Sequence, residues 1–285
     1  MSLPSLLHNL NLTDHDEVLK TANATLKKFK TDTEAQHIRT VALLKLDRFD
    51  DAIRAFNEAG DNLKQSAPLN WAYALYKVGR LQEAEEVASQ AGNRRGLRHV
   101  LAQATYRLER FDRAAEVYRS LSAEEAEAQD EESDLRINSA AVDAQMEWAG
   151  QGHLVRKKKV GREDLEAFET AFNAACACIG RGELSQGEVL LKRARGLCEA
   201  LEELSEEEKK VELVPILVQL GYVLSRLGRV EEAEKVVKEI QVDGYVDTYA
   251  DSGYLLMIIG SRTIRRNISR RLMLWRRRRN RQIRI

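Results

Sequence analysis

The chain has 285 residues, 44% of them apolar, with 6% aromatics and three prolines (Pro4, Pro68, Pro215); this is enough for one long helical array or two small domains, and no run has strand alternation. Three cysteines (Cys176, Cys178, Cys198) exclude a disulfide framework, and no apolar h-region follows Met1, so a reducing, cytoplasmic compartment is expected. The formal net charge of zero hides two electrostatic parts: residues 261–285 hold eleven arginines and no acid, so the other 260 residues carry 34 basic against 45 acidic side chains, about −11.

Residues 15–29 place Val18, Leu19, Ala22, Leu26 and Phe29 on one helical stripe, with Thr13 or Asp14 as the N-cap. Helical hairpins are expected over 33–46 with 49–59, 67–78 with 81–90, and 98–108 with 111–121. Residues 124–134 contain seven acids and no base, and read as a solvated helix start or loop. A helix resumes at 135–148, and residues 150–161, with Arg156, Lys157, Lys158 and Lys159, read as an exposed loop. Residues 165–179 with 184–201 form another hairpin, 202–212 a charged connector, and 214–227 with 230–240 the last clear hairpin. The pattern fades after Asp243-Gly244, and the apolar run at 254–259 is far too short to span a bilayer, so no integral membrane segment is expected.

A turn signature recurs through these hairpins. A turn residue is followed two positions later by an aromatic or aliphatic residue, and three after that by alanine. The copies run Asp47-Arg48-Phe49 to Ala52, Gly79-Arg80-Leu81 to Ala84, Glu109-Arg110-Phe111 to Ala114 and Gly228-Arg229-Val230 to Ala233. A weaker copy, Gly182-Glu183-Leu184, carries Gly187 in the alanine place. This is the second half of a tetratricopeptide (TPR) repeat, so the expected fold is all-α: a TPR-like helical-hairpin solenoid wound as a right-handed superhelix over residues 1–248, followed by a poorly packed Arg-rich tail over 249–285. The small residues sit where two helices must cross closely.

In such arrays the first helix of each hairpin lines the concave face. Counting back from the turns places Leu69, Asn70, Tyr73 and Tyr76 there in one repeat, His99, Gln103, Tyr106 and Arg107 in the next, and Phe172, Asn173 and Cys176 in a later one. Tyrosine offers a large ring with a polar tip, and asparagine can pair with an extended peptide backbone, so this set is the candidate partner-binding surface. Catalytic, metal and cofactor chemistry is not expected. The five histidines are scattered, no Cys or His pair lies at zinc spacing from Cys176 and Cys178, and no glycine loop suits phosphate.

Three stretches carry a closer likeness: Tyr106-Arg107-Leu108-Glu109-Arg110-Phe111-Asp112 with Val117-Tyr118-Arg119-Ser120-Leu121; Asp130-Glu131-Glu132 followed by residues 137–145 and Trp148; and residues 172–184 running on to Ala194 and Leu197-Cys198. With the opening Val18-Leu19-Lys20-Thr21-Ala22-Asn23, residues 10–240 resemble the family of the 72-kilodalton subunit of the eukaryotic signal recognition particle. The resemblance implies that the TPR part binds the C-terminal region of the 68-kilodalton partner subunit. It implies further that the pair sits on the particle RNA, and that the particle acts in co-translational targeting at the endoplasmic reticulum.

The end of the chain departs from that family, whose repeats continue into a long Lys-rich region. Here an Arg-rich tail follows from Arg262. A truncated or mis-spliced reading frame and a divergent RNA-binding segment both account for it. In the second case Arg270, Arg271, Trp275, Arg276, Arg277, Arg278 and Arg279 would pair with phosphates and stack on bases. The alternative function is a TPR co-chaperone or adaptor that grips a peptide C-terminus, for which Asn70 and Asn173 fit one position of a carboxylate-binding set.

Overall fold

The computed structural model describes residues 14–124, 129–155, 161–162 and 165–242. They form thirteen α-helices and no strand among the described residues. The boundary expected near residue 248 lies outside them, as does the Arg-rich tail. The chain divides into two compact units, at residues 1–135 and 136–285.

The first unit contains α1 (His15–Lys28), α2 (Thr33–Lys45), α3 (Phe49–Ala59), α4 (Asp61–Ser66), α5 (Pro68–Lys77), α6 (Leu81–Gln90), α7 (Arg95–Arg107) and α8 (Phe111–Ser122). α9 (Gln129–Trp148) begins at its end and runs on into the second unit, which holds α10 (Phe168–Gly180), α11 (Leu184–Glu199), α12 (Glu206–Arg226) and α13 (Val230–Val242). Helix starts follow local chemistry. The Asp14 carboxylate accepts from the Glu17 N–H at 3.1 Å, and the Asp32 carboxylate accepts from Ala35 N–H at 2.9 Å; Thr13 lies outside the described residues. Pro68 opens α5, where its missing N–H costs nothing.

The recurring turn closes each hairpin in one geometry. Asp47, Gly79, Glu109, Gly182 and Gly228 all have left-handed backbone, with φ of 54°, 82°, 60°, 82° and 80°. The residue after each donates its N–H back to the carbonyl five positions earlier, as in Arg48 to Leu43 and Arg229 to Leu224, both at 2.9 Å. Two of the five positions are therefore occupied by side chains that the left-handed region disfavours. Glu109→Gly is expected to raise stability by about 0.5–1 kcal/mol, because relief of backbone strain exceeds the added freedom of the unfolded chain. Asp47→Gly should gain less, since aspartate tolerates this region better. Equal denaturation midpoints for Glu109→Gly and the unaltered chain would show that the turn is not strained.

The crossing positions are as tight as the pattern requires. Ala52, Ala84, Ala114 and Ala233 are fully buried. The glycine in the weaker copy has a packing cause: a Cβ on Gly187 would lie 2.7 Å from Ile179 Cγ1, across the α10–α11 contact.

Three expectations change on inspection. The segment 202–212, read as a connector, is helical from Glu206, because Ser205 and Glu208 form a reciprocal capping box and three glutamates favour the positive end of the helix dipole. α12 then runs through Pro215, which donates no N–H to the ladder. Residues 61–66, assigned to no element by their pattern, form α4, held by a single buried side chain, Leu63. The acidic stretch 124–134 is not simply solvated: Glu131 packs against α7, with Oε1 accepting from His99 Nε2 at 2.7 Å and from Arg95 Nε at 2.5 Å. Residues 125–128 and the loop residues 156–160, with Lys157, Lys158 and Lys159, lie outside the described set.

Candidate protein-binding surface

Burial of one side of each hairpin against its neighbours leaves the first helices side by side. In the first unit these are α2, α5 and α7, with α5 in contact with both others. In the second, α10 and α12 are in contact. The anticipated surface residues lie on these helices.

Leu69 is exposed at the start of α5 and reaches α7, where a Cβ on Gly96 would come within 2.9 Å of its Cδ2. Asn70 Nδ2 is 3.2 Å from His37 Nε2 on α2. Tyr73 is half-buried, its ring edge-on to Phe49 at 6.2 Å between centroids. Tyr76 is half-buried and lies under the Arg107 guanidinium at 5.1 Å. His99 meets Glu131, and Gln103 is half-buried on the same helix. Tyr106 stacks edge-on to Phe111 at 5.6 Å.

In the second unit, Phe172 is half-buried against the apolar core that includes Ala175, Leu190 and Leu191. Asn173 donates from Nδ2 to the Ile137 carbonyl at 3.1 Å. Asn70 and Asn173 are thus both engaged inside their own units. The anticipated residues fall into a set from the first unit and three from the second, Phe172, Asn173 and Cys176.

Sequence counting missed an aromatic platform in the second unit. The Trp148 ring is partly exposed, and its Nε1 donates to the Cys176 carbonyl at 2.9 Å, which fixes its orientation. Its face meets Tyr222 at 5.9 Å, and Arg226 donates to the Tyr222 hydroxyl at 2.7 Å. Counting six residues back from Gly228 would have found Tyr222, the position that Tyr73 holds before Gly79. Trp148 stands two residues before Gly150, whose φ of 75° repeats the turn geometry.

The cysteines behave as packing residues. All three are free; Cys178 is buried, and burial pushes its thiol up to about 11, away from the reactive thiolate. Among the described residues no group of His, Cys, Asp or Glu could hold a metal ion. Likewise no described helix is long and apolar enough to cross a membrane. The arginines proposed for RNA, Arg270 to Arg279 with Trp275, lie outside the described residues.

Stacked helical hairpins joined by left-handed turns, with aromatics displayed on the first helices, define a TPR-like repeat protein, a class of structural scaffold. A family model described as a putative TPR-like repeat, SRP_TPR_like, matches residues 11–145. Signal recognition particle subunit SRP72 of Canis lupus familiaris is 34% identical over 254 residues, covering 84% of this chain and 36% of the relative. The human subunit is 32% identical over the same shares, and that of Dictyostelium discoideum 28% identical over 76% of this chain. The chain belongs to the family of the 72-kilodalton signal recognition particle subunit and corresponds to a TPR-containing part of it. It spans about a third of the length of the curated relatives it matches.

Proposed function

We propose that this chain is a scaffold of a cytoplasmic signal recognition particle, binding the C-terminal region of the 68-kilodalton partner subunit on the face of its first helices. Through that particle it would support co-translational targeting to the endoplasmic reticulum. RNA contact would come from a basic C-terminal segment, here the arginines from 270 to 279 with Trp275. The observation that carries the reading is the relationship to the 72-kilodalton subunits across 84% of the chain, well beyond the residues 11–145 that the repeat family model matches. The face described above supports it physically. Tyrosine rings seated between helices present rigid apolar area at small entropic cost. The co-chaperone alternative has less support, because both amides it would use, Asn70 and Asn173, have partners within the fold.

The test is calorimetric titration of the chain with the C-terminal region of the 68-kilodalton subunit. Tyr73→Ala combined with Tyr106→Ala should weaken binding at least about tenfold, as buried interface aromatics commonly contribute a few kcal/mol each. Both rings also touch neighbouring helices, so Tyr73→Phe with Tyr106→Phe serves as the control that keeps the packing. Unchanged affinity in the alanine pair would reject this surface.

A further inference from the structure

The arginines of this chain mostly meet carboxylates of the chain itself. Arg39 pairs with Glu58, Arg80 with Glu83, Arg181 with Glu183, Arg195 with Glu199 and Arg229 with Glu188. Arg107 and Arg226 do not; among the described residues each lies on a tyrosine ring instead. The Arg107 guanidinium is 5.1 Å from the Tyr76 ring centre and donates to the Tyr76 carbonyl at 3.1 Å. The Arg226 guanidinium is 5.6 Å from the Tyr222 ring centre, beside Trp148. Lys77 repeats the arrangement, its Nζ 4.8 Å from the Phe49 ring centre and 5.9 Å from that of Tyr73.

The three cations are equivalent. Each stands two residues before the left-handed turn residue of its hairpin, namely Gly79, Glu109 and Gly228. Each is exposed at the C-terminal end of a first helix. A cation held over a ring is attracted by the ring's quadrupole, and it loses less freedom when an anion arrives. Among the described residues no carboxylate pairs with these cations, so in a body carrying about −11 over residues 1–260 they are places where an anionic partner is welcome.

We propose that Lys77 and Arg107 in the first unit and, as a separate site, Arg226 in the second receive carboxylates from acidic, extended segments of the partner subunit. Aromatics beside them, Tyr73 and Tyr76 in the first unit and Trp148 in the second, take apolar side chains of those segments. This deepens the function proposed above and rests on it. A peptide carboxylate fits better than an RNA backbone, because RNA affinity grows with the number of phosphates neutralised, and separate cations in an acidic body neutralise few.

The experiment uses the full chain and three probes: the C-terminal region of the 68-kilodalton subunit, the same region with its Asp and Glu replaced by Asn and Gln, and an oligouridylate. The triple variant Lys77→Gln, Arg107→Gln, Arg226→Gln should bind the first probe about tenfold or more weakly at low salt, and the deficit should shrink at about 0.5 M salt. The neutralised probe should bind the unaltered chain just as weakly, and joining the two changes should add little. Lys77→Arg with Arg107→Lys and Arg226→Lys should stay within about threefold, which separates charge from folding. If the triple glutamine variant binds the first probe normally, the proposal is overturned while the partner assignment stands. If it instead loses binding only to an oligouridylate, the cations serve RNA and the proposal is again overturned. If the unaltered chain fails to bind the first probe at all, the partner assignment itself falls, and the proposal with it.

Discussion

Phe56→Ala is expected to lower the stability of the first unit by about 3–5 kcal/mol, enough to threaten its folding at 37 °C. Phe56 is fully buried, and its ring lies 5.2 Å from that of Trp71 at an interplanar angle of 52°. Around the pair pack Leu63, Ala74, Leu75, Ala84 and Ala104, contributed by α4, α5, α6 and α7. Truncation removes the apolar transfer energy and leaves a cavity that helices fixed by their alanine crossings cannot close. Phe56→Leu, which keeps most of the volume, should cost clearly less, about 1–1.5 kcal/mol. Urea denaturation followed by circular dichroism measures both. A loss below about 1 kcal/mol for Phe56→Ala would mean that the ring is not part of a fixed core.

The second large effect concerns a clasp between successive hairpins. Glu85, one residue after the crossing Ala84, is buried and ion-pairs with Arg110 and Arg113 of the next hairpin. Glu188, one residue after Gly187, occupies the same place and accepts from Arg229 Nη1 at 2.8 Å on both oxygens. The carboxylates are the buried members, while Arg110 and Arg113 remain about half exposed, at 48% and 45%. Removal of the two sides should therefore differ. Arg110→Ala with Arg113→Ala leaves a buried, unpaired carboxylate and should cost about 3 kcal/mol. Glu85→Ala lets both guanidinium groups turn to water and should cost about 1–2 kcal/mol. If Glu85→Ala is the more damaging change, burial of the carboxylate is not what governs this contact.

Acidity bears on the second clasp. Lys192 first, and then Arg229, hold the Glu188 carboxyl below the usual carboxylate range against the opposing effect of burial. A folded-state pKa below the unfolded one means that stability is present above the ordinary carboxylate pKa and is lost as the pH falls through the lowered value. Glu188→Gln should accordingly flatten part of the acid limb of a stability–pH curve.

Much of this protein could be read from its sequence, because the relevant information is local. Period-3.6 apolar stripes, caps such as Asp14 and Asp32, and the turn that precedes Phe49, Leu81, Phe111, Leu184 and Val230 depend on neighbours a few residues apart. They determine helix positions, hairpin closure and the alanine crossings. The likeness to the particle subunits was legible for the same reason, in contiguous stretches such as 172–184. Charge runs misled where capping competes with solvation: Ser205 and Glu208 turn part of an apparent connector into helix.

What only the tertiary structure decided are the contacts between residues about 20 to 70 apart in the chain. The seating of Arg107 on Tyr76, of Trp148 against Tyr222, the clasp of Glu85 by two arginines, and the capture of Asn70 by His37 and of Asn173 by a backbone carbonyl are of this kind. No periodicity encodes them, because they depend on how far one hairpin is rotated against the next. That rotation is set by the summed packing between hairpins, as of Gly96 on α7 against Leu69 on α5. Sequence thus determined that this chain is a stack of TPR-like hairpins with aromatics on its first helices. Stacking decided which of those aromatics are held inside the fold, and which carry a cation that meets no carboxylate among the described residues.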